Sequence, residues 1–149
     1  MKNIPMTRKT IFSKSRRIVI KVGSAVLTDS GQGLDHGRIE RLASDISSIM
    51  SQGREVMLVS SGAIAAGLAK LGLKKTKGMP LSLKQAAAAV GQSSLMWAYE
   101  KTFASHGLKV AQVLLTREDL SNRTRFLNAR NTLQTLLDYG VIPIINEND

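Results

Sequence analysis

Cysteine is absent from the 149 residues. That excludes a disulfide framework, a thiolate metal site and a thiol nucleophile, and it suits a cytosolic protein. Aromatic residues make up only 4% of the chain, and Phe12 alone interleaves the basic start. A surface that binds nucleic acid by base stacking therefore has few platforms. No stretch is long and apolar enough to span a bilayer. The two histidines, His36 and His106, stand far apart in helix-flanking positions. Both read as surface residues, and no metal cluster is in sight. Acidic residues are missing from residues 1–17, which hold Lys2, Arg8, Lys9, Lys14, Arg16 and Arg17.

That last absence explains most of the formal charge of +10: the rest of the chain carries 15 basic and 11 acidic side chains, a net of +4. The pattern is a mildly basic domain behind a basic leader, not a polyanion-binding surface. The leader lacks the apolar region of a secretory signal. Its Ser and Thr content gives it a faint likeness to a transit peptide, but residues 1–15 are expected to be a solvated extension. What remains is a globular composition, 43% hydrophobic and 21% charged, at a length that suits one domain with a real core.

Along the chain, β-branched or apolar runs predict strands over Arg17 to Val22, Glu55 to Val59, Val110 to Leu115 and Val141 to Ile145. Helical spacing covers Asp35 to Gln52, Ala63 to Leu71, Leu81 to Ser105 (with Gly91 tolerated inside) and Asn122 to Asp138. Leu73 to Pro80 reads as a loop. Alternating strands and helices predict a parallel sheet with crossover helices, and apolar strands predict cover on both faces. Right-handed crossovers place every strand's carboxyl end on one edge. That edge would gather Lys21 to Ser24, Ser60 to Gly62, Thr116 to Asp119 and Asn146 to Asp149.

Ligands of open α/β sheets bind at this edge. Lys21 interrupts an apolar strand; it either snorkels to the edge or, beside Gly23 and Ser24, bridges phosphate oxygens. No Gly-Lys-Ser/Thr follows a glycine-rich loop, so the pattern is not a P-loop. Ser61 and Gly62 join a strand to a helix whose free N–H groups favour a carboxylate or phosphate; equally, Ser61 is a plain N-cap. The segment is not a nucleophile elbow, since no glycine precedes the serine by two positions. Asn146, Asn148 and Asp149 offer amides and a carboxylate that suit an ammonium, or form an ordinary polar turn. Arg117 follows a strand end, whereas Arg123, Arg125 and Arg130 read as helix surface. A chain seldom stops on its own binding tip, so a fragment is expected.

The segments Val19-Ile20-Lys21-Val22-Gly23-Ser24, Ser61-Gly62-Ala63-Ile64-Ala65-Ala66-Gly67, Ala88-Ala89-Val90-Gly91-Gln92, Leu114-Leu115-Thr116-Arg117, Arg125-Phe126-Leu127-Asn128-Ala129-Arg130 and Ile145-Asn146-Glu147-Asn148-Asp149, in this order, resemble the amino-acid kinase family. The resemblance runs from about Arg17 to Asp149. The Lys-Val-Gly-Ser start is shared family-wide, and the later segments are specific to the branch that phosphorylates free glutamate.

The resemblance implies a three-layer αβα sandwich with a mainly parallel sheet, truncated here to the amino-acid-binding half over residues 16–149. It implies ATP-dependent phosphorylation of the γ-carboxylate of L-glutamate to L-glutamyl 5-phosphate, the first step towards proline, in the cytoplasm. Lys21, with Gly23 and Ser24, would contact the ATP phosphates. Ser61 and the Gly62 backbone would hold glutamate, Asp149 its α-ammonium, and Asn146 would orient it. Mg²⁺ would arrive with the nucleotide, without a protein metal site. In the family a later half supplies the adenine pocket, a second lysine and an aspartate that organises the catalytic lysine; some members add a PUA domain. Homo-oligomers and proline feedback are implied as well. The alternatives are a non-catalytic half-domain that binds glutamate or proline, and another carboxylate kinase of the family such as one acting on N-acetylglutamate. For the chain alone, a raw sheet edge and an exposed apolar face lead one to expect self-association.

Overall fold

A computed structural model describes residues 8–29 and 33–147. In chain order the elements are α1 (Arg8–Lys14), β1 (Arg17–Val22), α2 (Ser24–Leu27), β2 (Thr28–Asp29), β3 (Gly33–Leu34), α3 (His36–Met50), β4 (Glu55–Ser60), α4 (Ala63–Lys70), α5 (Leu81–Ser105), β5 (Lys109–Leu115), α6 (Arg117–Ser121), α7 (Arg123–Asp138) and β6 (Val141–Glu147). The helix α1 lies within the expected N-terminal extension.

Local chemistry sets the helix limits. The Asp35 side chain accepts from the Arg38 N–H, so Asp35 caps α3 and does not begin it. Asn122 does the same for α7, accepting from the N–H groups of Thr124 and Arg125. Inside α3, Ile39, Ala43 and Ile46 recur at helical spacing and are fully buried. The elements that the sequence did not announce are short: α1, α2, the β2–β3 hairpin and α6.

Four strands form one sheet in the order β1-β4-β6-β5, with every pair parallel. The last strand in the chain therefore sits between β4 and β5. It contains Pro143, which has no N–H for a ladder bond. The β4–β6 ladder accordingly pairs only Leu58 with Ile144 and Val59 with Ile145, beyond the proline. The crossovers from β1 to β4 and from β4 to β5 step in one direction, and the one from β5 to β6 steps back. Right-handed connections then put α3 and α5 on one face and α7 on the other, which gives three layers.

Alternation along the strands assigns the faces. Val22, Val56, Leu58, Ile142 and Ile144 meet Ile39, Ala43 and Ile46 of α3, and Leu95, Ala98, Tyr99 and Phe103 of α5, in one core. Tyr99 and Phe103 pack edge to face with ring centroids 5.8 Å apart. The other face is covered only in part. Helix α7 lies along β6 and buries Leu137, while Val19 of β1 stays 57% exposed. Cover on both sides thus holds in the middle of the sheet and fails at β1.

Helices α4 and α5 cross with backbones in contact. A Cβ added at Gly67 would lie 1.7 Å from the Ala87 carbonyl oxygen, and one at Gly91 would lie 1.8 Å from that of Ala63. Gly91 is therefore required by this crossing, and not merely tolerated within its helix.

A second tie fixes α5 to the sheet. The Tyr99 hydroxyl lies 2.9 Å from Ser60 Oγ, and both are buried. Burial pushes the phenol up to about 12, against a smaller lowering by the Ser60 bond, so it stays neutral at ordinary pH. Tyr99→Phe leaves the Ser60 hydroxyl buried without its partner, and a loss of about 1–2 kcal/mol is expected. Urea unfolding of the variant against the parent measures it; equal midpoints would show that the bond contributes nothing.

Candidate functional site

The sheet order sets the strand ends side by side: Lys21 to Ser24 after β1, Ser61 and Gly62 after β4, Asn146 at the end of β6, and Thr116 after β5. The connection after β4 leaves to the α5 face and the one after β5 to the α7 face. The end of β6 lies between them, at the topological switch point where such sheets bind ligands.

Lys21 is paired in register with Val59. By alternation its side chain belongs to the face opposite the α3–α5 core. It is exposed and has no ion-pair partner among the described residues. Snorkelling and phosphate contact are compatible at this position: the ammonium is solvated and unclaimed. Gly23 has ordinary extended angles, φ −77° and ψ 157°, and a Cβ there would meet nothing within 4 Å. Neither backbone strain nor packing calls for glycine, so what the position offers is open space above the backbone. Ser24 opens α2, and its carbonyl accepts from both the N–H and the hydroxyl of Thr28.

The β4–α4 junction corrects the reading of Ser61 as an N-cap. Gly62 is the cap, and it has no side chain to offer. Ser61 instead turns back to β1: its N–H and its hydroxyl donate to the Val22 carbonyl at 3.1 and 3.3 Å. These bonds tie the two loops together, and Gly62 packs beside the Ser24 Cα. With φ at +135°, Gly62 adopts a conformation that L side chains rarely reach. The start of α4 is thus left without a side-chain acceptor for its first N–H groups, a local environment suited to an anion.

Asn146 is only 9% exposed, and its Nδ2 donates to Gln92 Oε1 of α5 at 2.5 Å. Ser60, on the same face, is held by Tyr99. Lys21 therefore approaches the edge from one face and Asn146 from the other, with Ser61 and Gly62 between them. Asp149, the expected ammonium partner, lies outside the described residues, as does Asn148.

After β5, Thr116 and Asp119 form a reciprocal capping box. The Asp119 N–H donates to Thr116 Oγ1 at 3.2 Å, and Thr116 N and Oγ1 both donate to Asp119 Oδ2 at 2.8 Å. The Thr116 backbone bond and then its hydroxyl hold the Asp119 carboxyl below its ordinary range against desolvation, and the Arg125 charge adds the smallest contribution. Arg125 also pairs with Glu118 at 3.0 Å. The spacing Thr-x-x-Asp at a strand end was the signal for this turn. The resemblance included Gln92 without giving it a role, and no pattern pointed to Tyr99. His106, just past the end of α5, keeps its place at the surface and sets its Nε2 2.7 Å from Glu40 Oε1 of α3. Among the described residues no group of three or more His, Cys, Asp or Glu could hold a metal ion, and no helix is long and apolar enough to cross a membrane.

Comparison with known proteins agrees with this arrangement. Residues 16–149 match the amino acid kinase family. The chain is 61% identical over 142 residues to the glutamate 5-kinase of Pelobacter propionicus, and 60% identical over 144 residues to that of Geobacter metallireducens. That of Laribacter hongkongensis is 56% identical over 141 residues. Each alignment covers 95% of this chain, which spans 38% of the length of these relatives.

Proposed function

The chain belongs to the amino acid kinase family, and from that premise we propose that residues 16–149 form the glutamate-binding half of an ATP-dependent kinase, with residues 1–15 a basic extension. The reaction is transfer of the terminal phosphoryl group of ATP to the γ-carboxylate of L-glutamate, giving L-glutamyl 5-phosphate for proline synthesis. The observation that carries this reading is the edge itself: a Lys21 with no ion-pair partner among the described residues, beside a helix start capped only by Gly62, at the switch point of a parallel sheet.

Each residue has a stated task. Lys21, with the open backbone at Gly23 and Ser24, receives phosphate oxygens and offsets the charge that grows on the transferring group. The first turn of α4 and the Ser61–Gly62 junction receive a carboxylate of glutamate. Asn146 orients the amino acid, and Asp149 takes its ammonium. Such catalysis is positioning plus electrostatic stabilisation. Mg²⁺, when bound with the nucleotide, supplies further charge neutralisation on the phosphates. The adenine pocket belongs to the length of the relatives that this chain does not span.

The reading extends to a cytoplasmic homo-oligomer subject to feedback by proline, with no membrane or nucleic-acid partner. The likeness to glutamate 5-kinases favours free glutamate over N-acetylglutamate as the acceptor.

An acyl phosphate is trapped by hydroxylamine as a hydroxamate. The protein at its full natural length, given ATP, Mg²⁺ and L-glutamate, is expected to yield γ-glutamyl hydroxamate, and little product with N-acetylglutamate. A folded protein that gives no hydroxamate above the blank would overturn the proposal.

A further inference from the structure

Gln92 is the residue at the edge that the proposed chemistry leaves without a task. Its Oε1 accepts from Asn146 Nδ2 at 2.5 Å. Its Nε2 is buried and is the only buried side-chain nitrogen or oxygen without a partner among the described residues. A buried amide donor with no acceptor destabilises the fold. Leucine or methionine would fill a similar volume without that cost, so packing alone does not account for an amide here. The acceptor oxygen does, because of what it controls.

A primary amide has one acceptor side and one donor side, and a flip exchanges them. Asn146 is nearly buried, so its partners decide which side is free. With Nδ2 committed to Gln92, Asn146 keeps Oδ1 to offer to a ligand. Gln92 stands at a fixed place behind Asn146, since the adjacent Gly91 is pressed against the backbone of Ala63 and Gly67; with its Oε1 toward Asn146 it takes the donor side of that amide.

We infer that Gln92 is a positioning residue that fixes the polarity of the Asn146 amide. The tip of β6 thereby presents an acceptor oxygen to a cationic group and selects an amino acid over the same diacid without its ammonium. The inference rests on the glutamate reading above and deepens it. Were the amide reversed, its NH₂ would face the substrate ammonium, donor against donor.

The test compares L-glutamate as substrate with glutarate, the diacid lacking the amino group, as competitor, in the protein at its full natural length. For Gln92→Leu the KM for glutamate is expected to rise about tenfold or more, the range of a lost hydrogen bond to a charged group. The inhibition constant of glutarate should not change, and kcat should stay within about threefold. The melting temperature should hold or fall slightly, since the unpartnered Nε2 is removed while Asn146 Nδ2 loses its acceptor. Gln92→Glu, which can only accept, should keep the glutamate preference. Should the leucine variant melt early, Gln92→Met takes its place.

A leucine or methionine variant with the parent's ratio of glutamate KM to glutarate inhibition constant would overturn the assignment. So would a glutamate variant that loses as much as the leucine variant. If the parent itself makes no acyl phosphate from glutamate, the functional reading fails and this inference fails with it; an active parent with indifferent Gln92 variants sinks the inference alone.

Discussion

Lys21→Ala, in the protein at its full natural length, is expected to lower kcat by a factor of about 10²–10³, the usual scale for removing one group that stabilises transition-state charge. The KM for glutamate should change by no more than about threefold, because the amino-acid side of the edge lies on the other face of the sheet. The geometry makes this a clean test. Lys21 is exposed, makes no ion pair among the described residues and belongs to the open face beside Val19. Its loss removes no core contact, so the melting temperature should not move. Steady-state kinetics with a parallel melt distinguish the cases. Near-normal turnover would remove Lys21 from the phosphate site. A large KM effect at constant kcat would make it a binding residue only.

Gly91→Ala is expected to destabilise the chain by about 3 kcal/mol, at the upper end of what overpacking usually costs. The added methyl would meet three backbone atoms, the Ala63 oxygen at 1.8 Å, the Gly67 nitrogen at 2.4 Å and the Ala63 carbonyl carbon at 2.8 Å. Side chains can rotate away from a clash, whereas two helix backbones must separate. Ala63 directly follows Gly62, so separation also displaces the junction proposed to hold glutamate. Loss of glutamate affinity should therefore accompany loss of stability. Gly23→Ala is the control: its angles suit alanine and its surroundings are empty, so stability should stay within about 0.5 kcal/mol. Thermal unfolding of both variants decides the matter. Equal behaviour would mean that the α4–α5 contact is looser than its geometry indicates.

Much of this architecture could be read from the residues. The four main strands are β-branched or apolar runs, and α5 is an unbroken helical pattern from Leu81 to Ser105. Local composition determines these features. Strand order could not be read that way. Nothing in Val141 to Ile145 says that it enters between β4 and β5, because insertion depends on the lengths and directions of the connections. Gly91 was equally opaque: a glycine inside a helix shows its use only when the opposing backbone is in view. The N-cap alternative for Ser61 failed because serine before a helix ordinarily caps it, whereas here its hydroxyl turns to the Val22 carbonyl. At the site, the sequence pattern and family resemblance singled out Lys21, Gly23, Ser24, Ser61, Gly62 and Asn146, and the fold sets them along one edge. It did not reveal that Lys21 and Asn146 approach from opposite faces, nor that Gln92 sits behind Asn146. Both follow from pairing register and layer order, which are tertiary properties.

The position of β6 also dictates an order of events. Among the described residues, β5 pairs with no strand except β6. Until Val141–Glu147 has been synthesised and inserted, β5 can be held only through its contact with α5, and β4 lacks a neighbour on one side. Nucleation among β1, α3 and β4 uses contacts close in sequence; closing the sheet must wait for the strand with the longest loops to close. During translation the chain therefore passes through a state in which the two strand edges that β6 later covers are open, the kind of species that associates with its neighbours. The same step brings Asn146 beside Ser61. The edge proposed to receive glutamate is therefore assembled only once β6 is in place.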